Sequence, residues 1–186
     1  MKKAGPEIIL YPTETVYTLG VNPFDEEALS ALYELKQKND SLTMSWLVRN
    51  IKDIEKYANV TPTAREIISL YLPGPLTIAL EAKSTVPEHL RAEDGTISFR
   101  ISSDKKAQQL IAEYMKEHGV PLTCTSANIY GHKTHKEVLE IIEQFGGAAK
   151  MITKVIDDGP RTEEPSTVVR VIGLSVTVLR EGQIVI

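Results

Sequence analysis

Apolar residues recur along the chain with two different periods, and the alternation between those periods predicts a series of strands and helices. Glu7 to Tyr11 is β-branched and apolar and reads as a strand ending at Pro12 in a Thr-rich turn. Asp25 precedes Glu26 and Glu27, while Ala28, Leu32 and Leu35 repeat at helical spacing, so a helix capped by Asp25 is predicted to run to about Lys36 and to complete a βα unit. Met44 to Val48 reads as a second strand and Ile51 to Tyr57 as a short charged helix. Thr61-Pro62 then places an N-cap and a first-turn proline ahead of a helix that ends before Pro73-Gly74-Pro75. Leu76 to Leu80 and Thr96 to Ile101 are strand candidates on either side of a polar loop. Asp104 to His118 is an amphipathic helix closed by Gly119, and Leu122 to Cys124 is a further strand. Thr134 and Glu137 have the spacing of a capping box for a helix to about Phe145, stopped by Gly146-Gly147. Met151 to Ile156 reads as a strand and Asp157 to Pro165 as turns. Thr167 to Val171 and Val176 to Leu179 are joined tightly enough for an antiparallel hairpin.

Crossover and hairpin connections both occur in this order, which predicts an α/β fold of the mixed, α+β kind. Residues 1–186 are expected to form a single domain, a twisted mixed sheet with packed helices. An apolar content of 42% and a charged content of 25% support a chain that folds alone. The net charge of -4 gives no overall attraction to phosphate backbones, so any nucleic-acid contact has to come from a local basic patch. With one cysteine, Cys124, an internal disulfide and a cysteine-rich zinc site are excluded, in keeping with a reducing cytosol. Lys2 and Lys3 are followed by Gly5, Pro6 and Glu7 rather than by an apolar stretch, so no signal peptide is read. The longest apolar run, Val168 to Leu179, contains Arg170 and is far shorter than the roughly 20 residues of a bilayer span. A cytoplasmic protein without a membrane contact is expected.

Candidate chemistry is spread over five polar or basic segments: YPTETVYTLG (Tyr11 to Gly20), KQK (Lys36 to Lys38), TSAN (Thr125 to Asn128), PSTVV (Pro165 to Val169) and LREG (Leu179 to Gly182). P-loop, Gly-x-Gly-x-x-Gly, Gly-x-Ser-x-Gly and His-Glu-x-x-His patterns are missing. His132 and His135 flank Lys133 on a solvated stretch, and Asp157-Asp158-Gly159-Pro160 is turn chemistry, so no protein-bound metal is predicted. Every segment has two readings. Lys36 and Lys38 suit the negative end of a helix dipole and also suit a phosphate. The hydroxyls and amide of Thr125, Ser126 and Asn128 satisfy their own turn or serve a nucleotide beyond a strand end. Arg100 and Arg180 are solvated at strand ends, or they recognise a carboxylate or phosphate. Thr13, Thr15, Ser166 and Thr167 are turn and edge hydroxyls or ligand contacts.

Taken in order, the segments resemble the YrdC-type threonylcarbamoyl-AMP synthases (YrdC/YciO/YwlC-like), from about Pro6 to the C-terminus. PGPLTIAL (Pro73 to Leu80), ISFRIS (Ile97 to Ser102) and LTCTSAN followed by Gly131 add to the likeness. The resemblance implies an open concave cleft. It also implies a nucleotidyltransfer that joins L-threonine, bicarbonate and ATP with Mg²⁺ into threonylcarbamoyl-AMP and pyrophosphate. A threonylcarbamoyl-transferase complex then passes the group to tRNA, with tRNA or double-stranded RNA as a further possible contact. Carried over, Lys36, Lys38, Ser126, Asn128 and Arg180 form the nucleotide set, with Lys36 and Lys38 stabilising phosphate. Thr15, Arg100 and Ser166 form the threonine set, and no general base or protein nucleophile is assigned. The pattern departs from the family at four places: Lys36-Gln37-Lys38 for Lys-x-Arg, Leu42-Thr43-Met44 for Lys-Pro-Leu, Thr18 for a glycine, and Arg170 for an aspartate. These departures keep two alternatives open: a noncatalytic module binding tRNA, double-stranded RNA or a nucleotide, and a YciO-like paralogue acting on modified tRNA. No additional C-terminal domain is expected after Ile186.

Overall fold

The computed structural model describes residues 5–38 and 43–186, so Leu42 lies outside the described residues. The strands are β1 (Ile9–Tyr11), β2 (Thr18–Gly20), β3 (Ser45–Leu47), β4 (Leu76–Glu81), β5 (Thr96–Arg100), β6 (Leu122–Ser126), β7 (Lys154–Val155), β8 (Thr167–Ile172) and β9 (Ser175–Arg180). The helices are α1 (Glu26–Leu35), α2 (Ile51–Tyr57), α3 (Pro62–Tyr71), α4 (Lys105–His118) and α5 (Val138–Phe145). One sheet joins the strands in the order β7-β1-β2-β6-β3-β5-β4-β8-β9. The β1–β7, β3–β5 and β4–β8 pairs are parallel and the other ladders antiparallel, which is the mixed sheet the element order predicted.

Period-2 alternation sends each strand's side chains to two different layers. Leu10, Leu19, Trp46, Ile78, Phe99 and Val169 join the larger core beneath α1, α2, α3 and α5. Ile9, Tyr11, Leu47, Leu122 and Cys124 face the other way and pack on α4. That helix presents Ala107, Leu110, Ile111, Tyr114 and Met115, a stripe at i, i+3, i+4, i+7 and i+8. Asp104 caps it and Gly119 ends it in the left-handed region at φ 74°. Four helices thus cover one face, while α4 covers only part of the other.

Four expectations are corrected. The passage from the first strand to α1 is not a direct βα unit, because Thr18–Gly20 forms β2, antiparallel to β1. Three residues are too few for an alternation to be read; what makes them a strand is the ladder to Thr125 and Ser126. β6 accordingly runs to Ser126 rather than ending at Cys124. The capping box sits three residues later, with Glu137 at the N-cap and its N–H donating to Glu140 Oε2 at 3.4 Å. Met151 belongs to a 3-10 helix, Gly146–Met151, so the strand expected over Met151 to Ile156 shrinks to Lys154–Val155.

The KQK segment ends α1 in a Schellman turn. Gln37 N–H donates to Glu34 O at 2.9 Å and Lys38 N–H to Tyr33 O at 3.0 Å. Gln37 takes φ 51°, a left-handed conformation that disfavours any residue with a Cβ. Gln37→Gly is therefore expected to stabilise the protein by about 1 kcal/mol. In a chain of this size that raises Tm by roughly 2–4 °C, measured by thermal unfolding. An unchanged or lower Tm would contradict the strained cap.

Candidate functional site

Where α4 stops covering the sheet, the same face opens into a cleft of about 280 Å³. Its floor consists of the positions that alternate with core residues. Thr18 precedes Leu19 on β2, Ser45 precedes Trp46 on β3, and Thr77 lies between Leu76 and Ile78 on β4. Ser98 and Arg100 flank Phe99 on β5, and Val168 precedes Val169 on β8. Cys124, Thr125 and Ser126 of β6, Ser166, and Arg180 of β9 also line it. Of the residues singled out by sequence, Arg100, Ser126, Ser166 and Arg180 are brought together here. Lys36, Lys38, Asn128 and Thr15 are not part of the lining.

Arg100 is 4% exposed and held by the Thr-rich turn. Its Nη2 donates to Glu14 Oε1 at 2.6 Å, and both Nη atoms donate to Thr15 Oγ1 at 3.1 Å. Glu14 also accepts from the Ser102 hydroxyl and from Ser103 N–H. Burial works to raise the Glu14 pKa, but the Arg100 charge and the Ser102 hydrogen bond together hold it below the ordinary carboxylate value. Thr18 is a buried strand residue whose hydroxyl donates to Tyr11 O at 3.2 Å. Gln37 is the non-glycine with positive φ among the described residues, so no left-handed turn is disturbed at Thr18.

Arg180 reaches back across the β8–β9 hairpin. Its Nη2 donates to Ser166 O at 2.7 Å and to Ser166 Oγ at 3.2 Å, and Ser166 Oγ meets Thr77 Oγ1 at 2.8 Å. Gly182 lets the LREG turn lie on this backbone, since a Cβ there would stand 2.3 Å from Pro165 O. Burial, and then the charge of Arg100, lower the Arg180 pKa. Two guanidinium groups that sense each other across one cleft favour an anionic occupant.

The KQK lysines lie behind and beside TSAN. Buried Lys36 donates from Nζ to Asn128 O at 2.8 Å and to Ser126 O at 2.5 Å, bracketing the loop from beneath. Lys38 Nζ stands 3.5 Å from the centre of the Tyr130 ring and has no hydrogen-bond partner among the described residues. Ser126 Oγ donates to Asn128 Oδ1 at 2.5 Å, and Asn128 Nδ2 donates to His132 O at 2.7 Å. Sequence reasoning missed Glu14, Ser45, Thr77 and Ser98. Polar positions inside apolar strands, as in LTIAL and ISFRI, were the signal that could have found the last two.

Comparison with known proteins places this arrangement. The family model for Sua5, YciO and YrdC, described as telomere recombination, matches residues 3–182. The chain belongs to this family. It is 35% identical over 179 residues to a Methanocaldococcus jannaschii protein named as a threonylcarbamoyl-AMP synthase, covering 96% of this chain and 81% of that one. It is 33% identical over 150 residues to a Yersinia pestis threonylcarbamoyl-AMP synthase, covering 79% and 77%. Among solved structures, P. abyssi Sua5 complexed with L-threonine matches at a TM-score of 0.82 and 28% identity, covering 95% of this chain. This chain spans only 50% of that one. E. coli YciO matches at a TM-score of 0.82 and 26% identity, covering 95% and 84%.

Burial, followed by the charge of Lys38, lowers the Lys36 pKa to about 8. In the unfolded chain a lysine titrates near about 10.4. Between these values the unfolded state binds more protons, so the penalty of burying the ammonium is complete below pH 8 and fades as pH rises towards the unfolded value. Lys36→Met leaves two carbonyls unpaired and is expected to cost about 1–3 kcal/mol at neutral pH. In denaturant titrations from pH 7 to 10, wild type should gain stability relative to this variant above pH 8. A difference that stays flat with pH would refute the desolvated ammonium.

Proposed function

We propose that this protein makes threonylcarbamoyl-AMP and pyrophosphate from L-threonine, bicarbonate and Mg·ATP, for transfer of the threonylcarbamoyl group to tRNA by a partner complex. One observation carries the reading: Arg100, Ser126, Ser166 and Arg180, far apart in sequence, line a single cleft in a chain 35% identical to a protein named for that activity.

The threonine amine attacks the carbon of carbon dioxide and loses a proton to solvent, or attacks bicarbonate with loss of water, to give a carbamate. A carbamate oxygen then bonds to the α-phosphorus of ATP while the bond to the pyrophosphate oxygen breaks. Nucleophile and electrophile are both anionic, so catalysis consists chiefly of neutralising charge and holding the two in line. Arg180 is the cation suited to the phosphates, being tied to Ser166 by its Nη2 and set at the open edge of the cleft. Arg100, lower in the cleft, is suited to the threonine carboxylate. Because Ser126 spends its proton on Asn128, its oxygen is left to accept from a nucleotide hydroxyl or from the amine. Mg²⁺ would enter with the nucleotide as part of the substrate and would supply neutralisation of its phosphate charge.

A second reading draws on Lys36. Its ammonium is engaged with the carbonyls of Ser126 and Asn128, which favours a cleft that binds a nucleotide or RNA with weaker phosphate neutralisation and no turnover. Mass spectrometry after incubation with ATP, Mg²⁺, threonine and bicarbonate separates the two. The synthase yields threonylcarbamoyl-AMP and threonine-dependent pyrophosphate, and Arg180→Ala lowers kcat/KM by on the order of 10²-fold. Folded wild-type protein that yields neither product refutes the synthase.

A further inference from the structure

β7 and β9 are the two edges of the sheet, and they are finished differently. β7 is two residues long, begins with Lys154 and is followed by Asp157, Asp158 and Pro160, features that discourage the addition of a further strand. β9 has none of these. Residues 171–179 carry no charge and no proline, and all six residues of β9 are exposed. Seven of the twelve large apolar side chains left exposed among the described residues lie within residues 172–186. A long uncharged edge of this kind is a template for pairing.

The hairpin decides which backbone groups that edge presents. β8 and β9 are joined by the two-residue turn Gly173-Leu174, with Gly173 at φ 59° and Ile172 opposite Ser175. In such a turn the Ser175 N–H donates to Ile172 O, so strand alternation aims Ser175 and Thr177 at β8 and leaves the N–H and C=O of Val176 and Val178 pointing outward. Opposite these two valines in β8 stand Val171 and Val169, members of the larger core. Val176 and Val178 themselves are 40% and 44% exposed, so the core ends on an uncovered apolar rim. The ladder skips Leu179, which limits the regular edge to residues 175–178.

We propose that β9 pairs with β9 of a second copy of this chain, antiparallel about a two-fold axis, to form one continuous sheet. The edge is self-complementary. With Thr177 of both copies on the axis, Val176 of each copy stands opposite Val178 of the other, so every outward-pointing valine backbone meets an outward-pointing one and about four interstrand hydrogen bonds form. The four valine side chains then close over the ends of the two cores. Residues directly opposite share a face, so both clefts open on the same side, and Arg180, which lines the cleft from β9, lies close to the joint. A strand edge about 20 Å long on a sheet about 10 Å thick covers on the order of a few hundred Å² per partner, below the roughly 800 Å² of a standard interface. Association is therefore weak and concentration-dependent, with Kd on the order of 10–100 μM.

Sedimentation velocity from about 5 to 500 μM, spanning that Kd, should show wild type passing from monomer to dimer. Val178→Pro removes an N–H that the single chain leaves to solvent, so the fold is kept while Kd rises by about 10- to 100-fold. Val176→Lys, an edge charge, acts in the same direction. Wild type that stays monomeric throughout overturns the proposal and leaves β9 to a strand of a different protein. A dimer whose Kd is unchanged in the folded variants is built on another surface, which also overturns it. Cysteine cross-linking reads the register. Across a non-hydrogen-bonded pair the Cα atoms are about 4.5 Å apart, within disulfide reach, so mild oxidation links Thr177→Cys copies. Val178→Cys copies are offset to roughly 8–9 Å and stay unlinked. Linkage through Val178→Cys in place of Thr177→Cys overturns the pairing.

Discussion

Arg100 carries a full positive charge at a site that water hardly reaches, and much of the cleft follows from how that charge is accommodated. A guanidinium buried at the end of a strand between Phe99 and Ile101 needs a carboxylate and oriented acceptors close by. The Thr-rich turn between β1 and β2 supplies them, Glu14 for the charge and Thr15 for both Nη atoms. Ser102 links Glu14 to the start of α4, since its oxygen accepts from the N–H of Asp104, which caps that helix. Arg161 closes the circuit. It donates to Asp104 Oδ2 at 3.0 Å and to Thr13 O at 2.8 Å, fastening the segment before Ser166 to the same turn. Pairs of this kind add little net stability but are expensive to break, so they fix geometry more than they hold the fold together.

The cleft exists because the sheet is wider than the single helix covering its second face. α4 seals β1, β3 and β6 with an apolar stripe, and beyond its edge β4, β5, β8 and β9 keep that face open. On the sealed face of the sheet the alternating residues can all be apolar. On the open stretch they become Thr77, Ser98, Arg100 and Arg180 while their neighbours Ile78 and Phe99 remain in the core. One pleat therefore serves stability and recognition at once, and a register slip of one residue would exchange them.

Much of the fold was legible because its signals are local. The Asp25 cap, the Thr61-Pro62 start, the α4 stripe and the terminal hairpin each lie within a few residues and each appears where expected. What escaped depended on partners distant in sequence. β2 is a strand because of Thr125 and Ser126, more than a hundred residues away. Glu14 reads as one polar residue of a turn until Arg100 is placed beside it. Ser126, Ser166, Arg100 and Arg180 were legible as hydroxyls and cations at strand ends, and the topology supplied their convergence. Thr77 and Ser98 were read only as parts of strands, because the face they share is defined by the pairing of β4 with β5 and β8.

The two lysines of KQK, identical in sequence terms, are separated by the turn that ends α1. The positive φ of Gln37 reverses the chain between them, so Lys36 points back under TSAN while Lys38 projects beside Tyr130. Two protons of the Lys36 ammonium are engaged by the carbonyls of Ser126 and Asn128. Direct donation to a phosphate would require giving up one of those bonds in a buried setting, where an abandoned carbonyl is costly. Lys38 is placed differently: its buried Nζ rests on the Tyr130 ring with no hydrogen-bond partner among the described residues. One left-handed residue thus sets two neighbouring lysines on different partners, Lys36 on the carbonyls of TSAN and Lys38 on the Tyr130 ring.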